Sequence, residues 1–168
     1  MNHLKIKKLI KTIFKNFNLS NRHAEISAEY LIKAELFGAP SHGLARLKMY
    51  CERLDKKIIN PNPKIKIKKI SQSISHIDAN NSIGFVAADL GIKIAIKNAK
   101  KTGIGLVAIK NSGHYGLSSF YAEQAVKKKL MVLCFTNAPP AIAPYGAKKS
   151  LFGTNPICFG TPTGNKVP

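Results

Sequence analysis

The apolar residues of this chain change their spacing at a proline-rich break, and this change constrains the fold more than any other feature. Before the break they recur every three or four positions, which is the spacing of one helix face. Pro61-Asn62-Pro63 ends helical structure. From Lys64 onward, short strand-like runs alternate with helical segments, an order that favours an α/β domain. The sequence therefore predicts a helical subdomain over residues 1–60 and the first part of an α/β domain over 61–168.

Three helices are predicted before the break. The first covers Met1 to Phe17. The second can be capped by Ser20 or Asn21, and it runs through Leu36 to a stop at Gly38. The third follows Ser41 and carries apolar residues at helical spacing, namely Leu44, Leu47, Cys51 and Leu54.

After the break, alternation over Lys64 to Lys68 predicts an edge strand with Ile65 and Ile67 facing a core. Ser75 to Asp78 predicts a second short strand. A helix over Gly84 to Lys101 follows, with Gly103 as its stop. The remaining predicted elements are buried strands over 104–109 and 130–135, a helix over 117–128 between them, and a strand over 156–160.

Gly103 to Ala108 fits the letter pattern of a dinucleotide-binding loop, but its context does not. That loop needs a strand before it and a helix after it, so that a pyrophosphate meets the helix N-terminus. Here a predicted helix precedes the glycines and a strand follows them. The pattern therefore predicts no Rossmann-type loop.

The charge is strongly positive, with 27 Lys plus Arg against 8 Asp plus Glu and a net charge of +19. The excess is mostly lysine, since the arginines are Arg22, Arg46 and Arg53. Base readout and bidentate phosphate contacts favour arginine, and no cluster of aromatic residues offers a stacking surface. We therefore expect no specific nucleic-acid partner. A basic module that binds polyanions stays open as an alternative function, as does an inactive remnant.

The cysteines and the hydropathy indicate a compartment. Cys51, Cys134 and Cys158 lack CxxC spacing and lie in apolar surroundings, which argues for a reducing compartment and against a zinc site. No apolar run approaches the roughly 20 residues that cross a bilayer. We expect a cytoplasmic protein with no bound metal and no membrane partner.

The first candidate site lies on the third predicted helix. If that helix is continuous, His42, Arg46 and Tyr50 stand four residues apart and project from one side. An arginine can bind a carboxylate, an imidazole can exchange a proton near neutral pH, and a phenol can orient an oxygen. A solvated helix face is the alternative, although the proline break and the glycine beside His42 favour a helix start that approaches a ligand.

The second candidate site is the loop Asn111 to Gly116, between a predicted strand and a predicted helix. Such loops bind ligands in open α/β sheets, and the following helix offers N–H groups to an anion. His114 is either a buried residue that satisfies the loop backbone or a catalytic one. Ser118 and Ser119 fall in the first helical turn, and a third polar loop runs from Phe152 to Pro156.

These segments together resemble the malate/L-lactate dehydrogenase family of the second type, which includes sulfolactate, ureidoglycolate and diketogulonate dehydrogenases. The resemblance implies an NAD- or NADP-dependent oxidoreductase that interconverts a 2-hydroxy acid and a 2-oxo acid. It also implies a nicotinamide-binding fold that is not a Rossmann domain, and a homodimer in the complete form. The matching motifs are Ser41 to Arg46, Gly103 to Gly105, Asn111 to Gly116, Phe135 to Asn137, Pro144 to Gly146 and Gly153 to Pro156.

The resemblance also implies roles for individual residues. His42 matches the proton donor of some members and His114 the proton acceptor of others, and the sequence does not decide between them. Arg46 would hold the substrate carboxylate, with Ser41 and Tyr50 lining its pocket. The residues implied to bind the cofactor are Ser118, Thr154 and Asn155.

The resemblance covers only the N-terminal half of a family chain. Members continue with a second half that supplies most nicotinamide contacts and closes the central sheet. We therefore expect an incomplete gene product, a split enzyme or a decayed gene, and we expect the chain alone to lack part of the activity.

Overall fold

The computed structural model describes residues 2–164 and contains five helices and five strands in that range. The helices are His3–Asn16 (α1), Asn21–Leu36 (α2), Leu47–Asp55 (α3), Gly84–Thr102 (α4) and Ser119–Val126 (α5). The strands are Lys66–Lys69 (β1), Ile74–Ser82 (β2), Leu106–Ser112 (β3), Val132–Phe135 (β4) and Ile157–Gly160 (β5). The chain forms two compact units, the first running to Leu117 and the second starting at Ser118. The predicted boundary between residues 60 and 61 stays a prediction, and residues 165–168 of the predicted α/β domain lie outside the described residues.

The first two helices form where their sequence signals predict them. The Ser20 hydroxyl caps α2 by accepting the His23 N–H at 3.2 Å. Gly38 follows α2 with a φ of +72°, a left-handed conformation that suits glycine. α1 packs on α2 and buries Ile10 and Phe14 completely, which provides the core of the helical part.

The prediction of a third helix that follows Ser41 is wrong for its first half. Two short 3₁₀ turns, Pro40–His42 and Leu44–Arg46, precede α3. Gly43 interrupts the helix with a ψ of −131°, and the N–H of Leu44 donates to Glu35 Oε1 at 2.6 Å rather than to a carbonyl one turn back. His42, Arg46 and Tyr50 therefore do not share one helix face, and Tyr50 is completely buried instead of projecting away from the apolar stripe.

A three-stranded mixed sheet forms the rest of the first unit, as the predicted incomplete α/β architecture requires. Its strand order is β1-β2-β3, with β2 antiparallel to β1 and parallel to β3. α4 connects β2 to β3 and packs on both strands. Gly103 ends this helix with a φ of +83°. The segment from Gly103 to Ala108 thus follows a helix and enters a strand, which confirms that it is not a Rossmann loop.

Several strand side chains that were expected in a core are exposed. β1 is an edge strand as predicted, but Ile67 is 53% exposed because α4 covers β2 and β3 rather than this edge. β3 pairs with β2 alone within residues 2–164, and Leu106 is 51% exposed. Strands do form in the predicted segments 104–109 and 130–135, as β3 and β4, but the prediction that they are buried is wrong for the described part of the chain.

The second unit pairs β4 with β5 in an antiparallel ladder, and α5 packs on both strands. α5 buries Phe120, Ala122 and Ala125. The opposite side of the ladder stays open, with Leu133, Phe135 and Phe159 more than half exposed. None of the helices within residues 2–164 is both long and apolar enough to cross a membrane.

Candidate active site

Two imidazoles from distant parts of the sequence lie together in the first unit. His42 ends the 3₁₀ turn Pro40–His42, and His114 lies in the loop that follows the carboxyl end of β3. Their ring centroids are 5.9 Å apart and the ring planes differ by 28°. A ligand of a few atoms can therefore contact both rings, and the structure brings the two predicted catalytic residues into one place.

Tyr50 contacts His114 from the core of the first unit. Its hydroxyl lies 2.6 Å from Nδ1 of His114 and 3.4 Å from the backbone oxygen of the same residue. The phenol ring packs against Phe14 and Phe85, with centroids at 6.5 and 5.1 Å, and the side chain is fully buried. The side chain expected to line a substrate pocket thus lies in the core and contacts His114.

Ser41, His42 and Arg46 form a second set of contacts around the 3₁₀ turns. The Ser41 hydroxyl lies 2.9 Å from Nδ1 of His42. Nε of Arg46 donates to the backbone oxygen of Ser41 at 2.6 Å. Because a guanidinium has five N–H donors, the two terminal nitrogens of Arg46 keep four for a bound anion. The arginine and the imidazole are therefore held on the same short segment.

Burial, and then the surrounding positive charges, favour the neutral forms of the two imidazoles. Burial, followed by the charges of His42, Arg46 and Arg53, lowers the pKa of His114 from 6.5 to about 4. Burial and the charge of Arg46 also lower the pKa of His42. Arg53, on α3 one turn beyond Tyr50, adds a positive charge that the sequence motifs did not identify. The site is electropositive because of its arginines, which suits an anionic ligand.

Two further residues that hold the site in place escaped the sequence analysis. Glu35 at the end of α2 accepts the N–H of Leu44 and lies against Gly43, where a Cβ would come within 2.8 Å of its carboxyl carbon. Gly84, the first residue of α4, lies against the backbone of Gly113 and His114. Neither contact has a local sequence signal, since each joins residues that are apart in the chain.

The three residues predicted to bind a cofactor lie in the second unit. Ser118 precedes α5, and its backbone oxygen accepts the N–H groups of Tyr121 and Ala122. Thr154 is exposed, and Asn155 Oδ1 accepts the N–H of Ala138 at 2.8 Å. Hydroxyl and amide groups of this kind fit the ribose and phosphate oxygens of a nicotinamide cofactor. Across residues 2–164, no three His, Cys, Asp or Glu side chains cluster in a way that could hold a metal ion.

Known proteins resemble this chain along its whole length. A family model described as malate/L-lactate dehydrogenase matches residues 1–168. The L-sulfolactate dehydrogenase of Methanocaldococcus jannaschii is 39% identical over 160 residues, which cover 95% of this chain and 46% of that enzyme. The (2R)-3-sulfolactate dehydrogenase (NADP(+)) of Chromohalobacter salexigens is 37% identical over 139 residues, which cover 83% of this chain and 41% of that enzyme.

A solved structure shows the same likeness in three dimensions. The malate dehydrogenase of Pyrococcus horikoshii OT3 superposes with a TM-score of 0.93 at 34% identity, over 99% of this chain and 48% of that protein. The chain spans about half the length of the relatives it matches. Neither the polyanion-binding module nor the inactive remnant gains support from these comparisons.

Proposed function

This chain belongs to the malate/L-lactate dehydrogenase family, and on that premise we propose that it carries the N-terminal half of an NAD(P)-dependent oxidoreductase. The reaction interconverts a 2-hydroxy acid and a 2-oxo acid. The observation that carries the proposal is the juxtaposition of His42 and His114, 5.9 Å apart, with Arg46 on the same short segment as His42. The homodimer and the cytoplasmic location implied by the resemblance stay predictions.

Arg46 is proposed to hold the substrate carboxylate. Its Nε is anchored on the Ser41 backbone, so the guanidinium has a defined position while its terminal nitrogens keep their donors. An anchored cation orients the carbonyl of a 2-oxo acid, and orientation supplies a large part of a catalysed rate. Ser41, with an exposed side chain beside this anchor, is the second proposed substrate contact.

The imidazole pair is proposed to exchange the proton. In the free site both pKa values lie below their ordinary value, so the rings are neutral near pH 7 and can accept the hydroxyl proton of a 2-hydroxy acid. In the reverse direction a ring must first take up a proton. Burial is the main cause of the lowered pKa values, and a carboxylate bound to Arg46 offsets the further lowering that the Arg46 charge adds, which promotes that uptake.

A nicotinamide cofactor supplies or accepts the hydride when it is bound. One relative carries NADP(+) in its name, and NAD is the other cofactor that the family resemblance implies. Ser118, Thr154 and Asn155 are proposed to contact it. The names of the relatives point to malate and sulfolactate as the first substrates to test.

The test is nicotinamide turnover by the full-length protein, which includes the second half that its relatives carry, with oxaloacetate, sulfopyruvate and pyruvate and with each of NADH and NADPH. The variant Arg46→Ala is expected to lose about 100-fold or more in kcat/KM, since a charge-assisted bidentate pair contributes several kcal/mol. Arg22→Ala, at an exposed arginine near the start of α2, is the matched control and is expected to retain the activity.

Two results would overturn this proposal. If the full-length protein, with the second half that its relatives carry, turns over no 2-oxo acid with either cofactor, the reaction class is wrong. If Arg46→Ala changes kcat/KM no more than Arg22→Ala does, the arginine does not hold the substrate.

A further inference from the structure

We propose that Tyr50 is a positioning residue whose phenol pairs with Nδ1 of His114 in both protonation states and donates to it in the resting neutral ring, so that Nε2 faces the substrate and exchanges the proton through the charged ring. The inference deepens the proposed function and rests on it for the identity of the proton's partner. It replaces the expected role of Tyr50 as a substrate contact, because a side chain with no exposed surface does not reach a substrate in this arrangement.

The burial of the phenol decides the direction of the hydrogen bond. A buried hydroxyl must give its proton to an acceptor, since water does not reach it. Burial raises the pKa of Tyr50, so the phenol keeps this proton. Nδ1 of His114 at 2.6 Å is the close acceptor, whereas the His114 backbone oxygen at 3.4 Å is at the limit of hydrogen bonding. A neutral His114 that accepts at Nδ1 carries its proton on Nε2.

The more distant oxygen gives the same phenol a second use. When His114 takes up a proton, both ring nitrogens become donors. The Tyr50 hydroxyl can then accept from Nδ1 and turn its own proton to the backbone oxygen of His114. One rotation of a buried hydroxyl therefore satisfies both protonation states. The ring stays in place while the proton on Nε2 passes to the substrate oxygen, which leaves a neutral ring protonated on Nδ1 and a lone pair on Nε2. In the oxidative direction this Nδ1–H form accepts the hydroxyl proton of the substrate at Nε2, with the Tyr50 hydroxyl still accepting from Nδ1.

Ser41 makes a corresponding contact with the other ring. Its hydroxyl is 2.9 Å from Nδ1 of His42, which leaves Nε2 as the free atom there too. Ser41 is exposed, however, and water competes for its hydrogen bond. The buried contact is therefore the one that fixes a ring.

The first experiment needs no variant and no substrate. Two-bond ¹H–¹⁵N NMR on the labelled wild-type protein at pH 7 reports which nitrogen of His114 carries the proton. We expect the Nε2–H form. A His114 that is protonated on Nδ1 would overturn the proposal, whatever the outcome of the turnover assay.

The second experiment compares Tyr50→Phe with Tyr30→Phe. Tyr30 is a matched control because it is also buried and stacks on Phe85, but its hydroxyl donates to Asp89. We expect Tyr50→Phe to shift the His114 tautomer and to lower kcat about tenfold, which is the loss of one hydrogen bond, with KM within about twofold. Tyr30→Phe is expected to leave the tautomer and kcat unchanged.

These readouts separate the two proposals. If His114 carries its proton on Nε2 and this depends on Tyr50, but the protein reduces no 2-oxo acid, the positioning role of Tyr50 stands and the proposed function is wrong. An unchanged tautomer in folded Tyr50→Phe would remove the positioning role and leave the function intact. If Tyr50→Phe does not fold, the wild-type tautomer still decides the question.

Discussion

Replacing Gly84 with alanine tests whether the His114 loop rests directly on the first residue of α4. A Cβ at this position would lie 2.5 Å from the carbonyl carbon of His114 and closer still to the backbone oxygens of Gly113 and His114. Carbon atoms in contact are normally 3.5–4.0 Å apart. The loop must therefore move by roughly 1 Å, and it carries His114 with it.

The size of the effect follows from two opposing contributions. Forcing an extra carbon into a packed site typically costs about 1–3 kcal/mol, and here the obstacle is backbone that cannot rotate away. Exchanging glycine for alanine in a helix interior returns up to about 1 kcal/mol, and less at the first residue. We therefore expect Gly84→Ala to lower the free energy of unfolding by about 1–2 kcal/mol.

Gly91 on the same helix is the matched control. It is buried, and a Cβ there would meet Cδ1 of Ile109 at 2.7 Å, with its other neighbours at 3.5 and 3.6 Å. Cδ1 is the end of a flexible side chain that is 36% exposed, so it can turn toward water. Gly91→Ala should therefore keep most of its helical gain and fall within about 1 kcal/mol of the wild-type stability.

Urea unfolding followed by far-ultraviolet circular dichroism compares the three proteins, with a shift in midpoint at constant slope as the measure of stability. The His114 NMR signals report whether the loop has moved. Equal stability of the two variants, together with unchanged His114 signals in Gly84→Ala, would refute the contact on which this reasoning depends.

Three further outcomes are expected from the same unfolding assay. Glu35→Ala should cost about 1–2 kcal/mol because it leaves the N–H of Leu44 without its acceptor, whereas Glu35→Gln, which keeps an oxygen, should cost less; equal losses would contradict this. As the pH falls from 6.5 to about 4, His114 becomes protonated in the unfolded protein but stays neutral in the native protein. The free energy of unfolding should therefore fall across that pH range. His114→Gln should flatten this part of the profile, and an unchanged slope would assign it to other groups. Between pH 4.5 and about 2, protonation of Glu25 should remove further stability, because its ion pairs with Lys7 and Lys11 lower its native pKa to about 2, and Glu25→Gln should remove that dependence.

Local signals predicted the helices well. The caps at Ser20 and Gly38 and the stop at Gly103 act within one turn of the chain, so the sequence around them contains the whole cause. The prediction of where α3 starts failed because the cause lies outside the local sequence. Its 3₁₀ turns depend on a contact between Gly43 and Glu35, and no spacing rule reports a contact made across the fold.

Alternation predicted strands but not their burial. It identifies which side chains share a face, as at Ile67, yet it says nothing about what covers that face. Leu106 and Leu133 are exposed because no described element packs on them. The candidate site shows the same division. Spacing grouped His42, Arg46 and Tyr50 on one continuous helix, but two 3₁₀ turns precede α3. The pairing of His42 with His114 arises instead from the tertiary fold.

The hydrogen bond between Tyr50 and His114 joins residues that are 64 positions apart. Closing so long a loop is slow, and it gains nothing until the intervening strands and α4 have packed. We therefore expect the imidazole pair to assemble late in folding. Opening of the 113–116 loop alone would separate the rings without disturbing the helical core, so we expect amide hydrogens around His114 to exchange with solvent faster than those of α2.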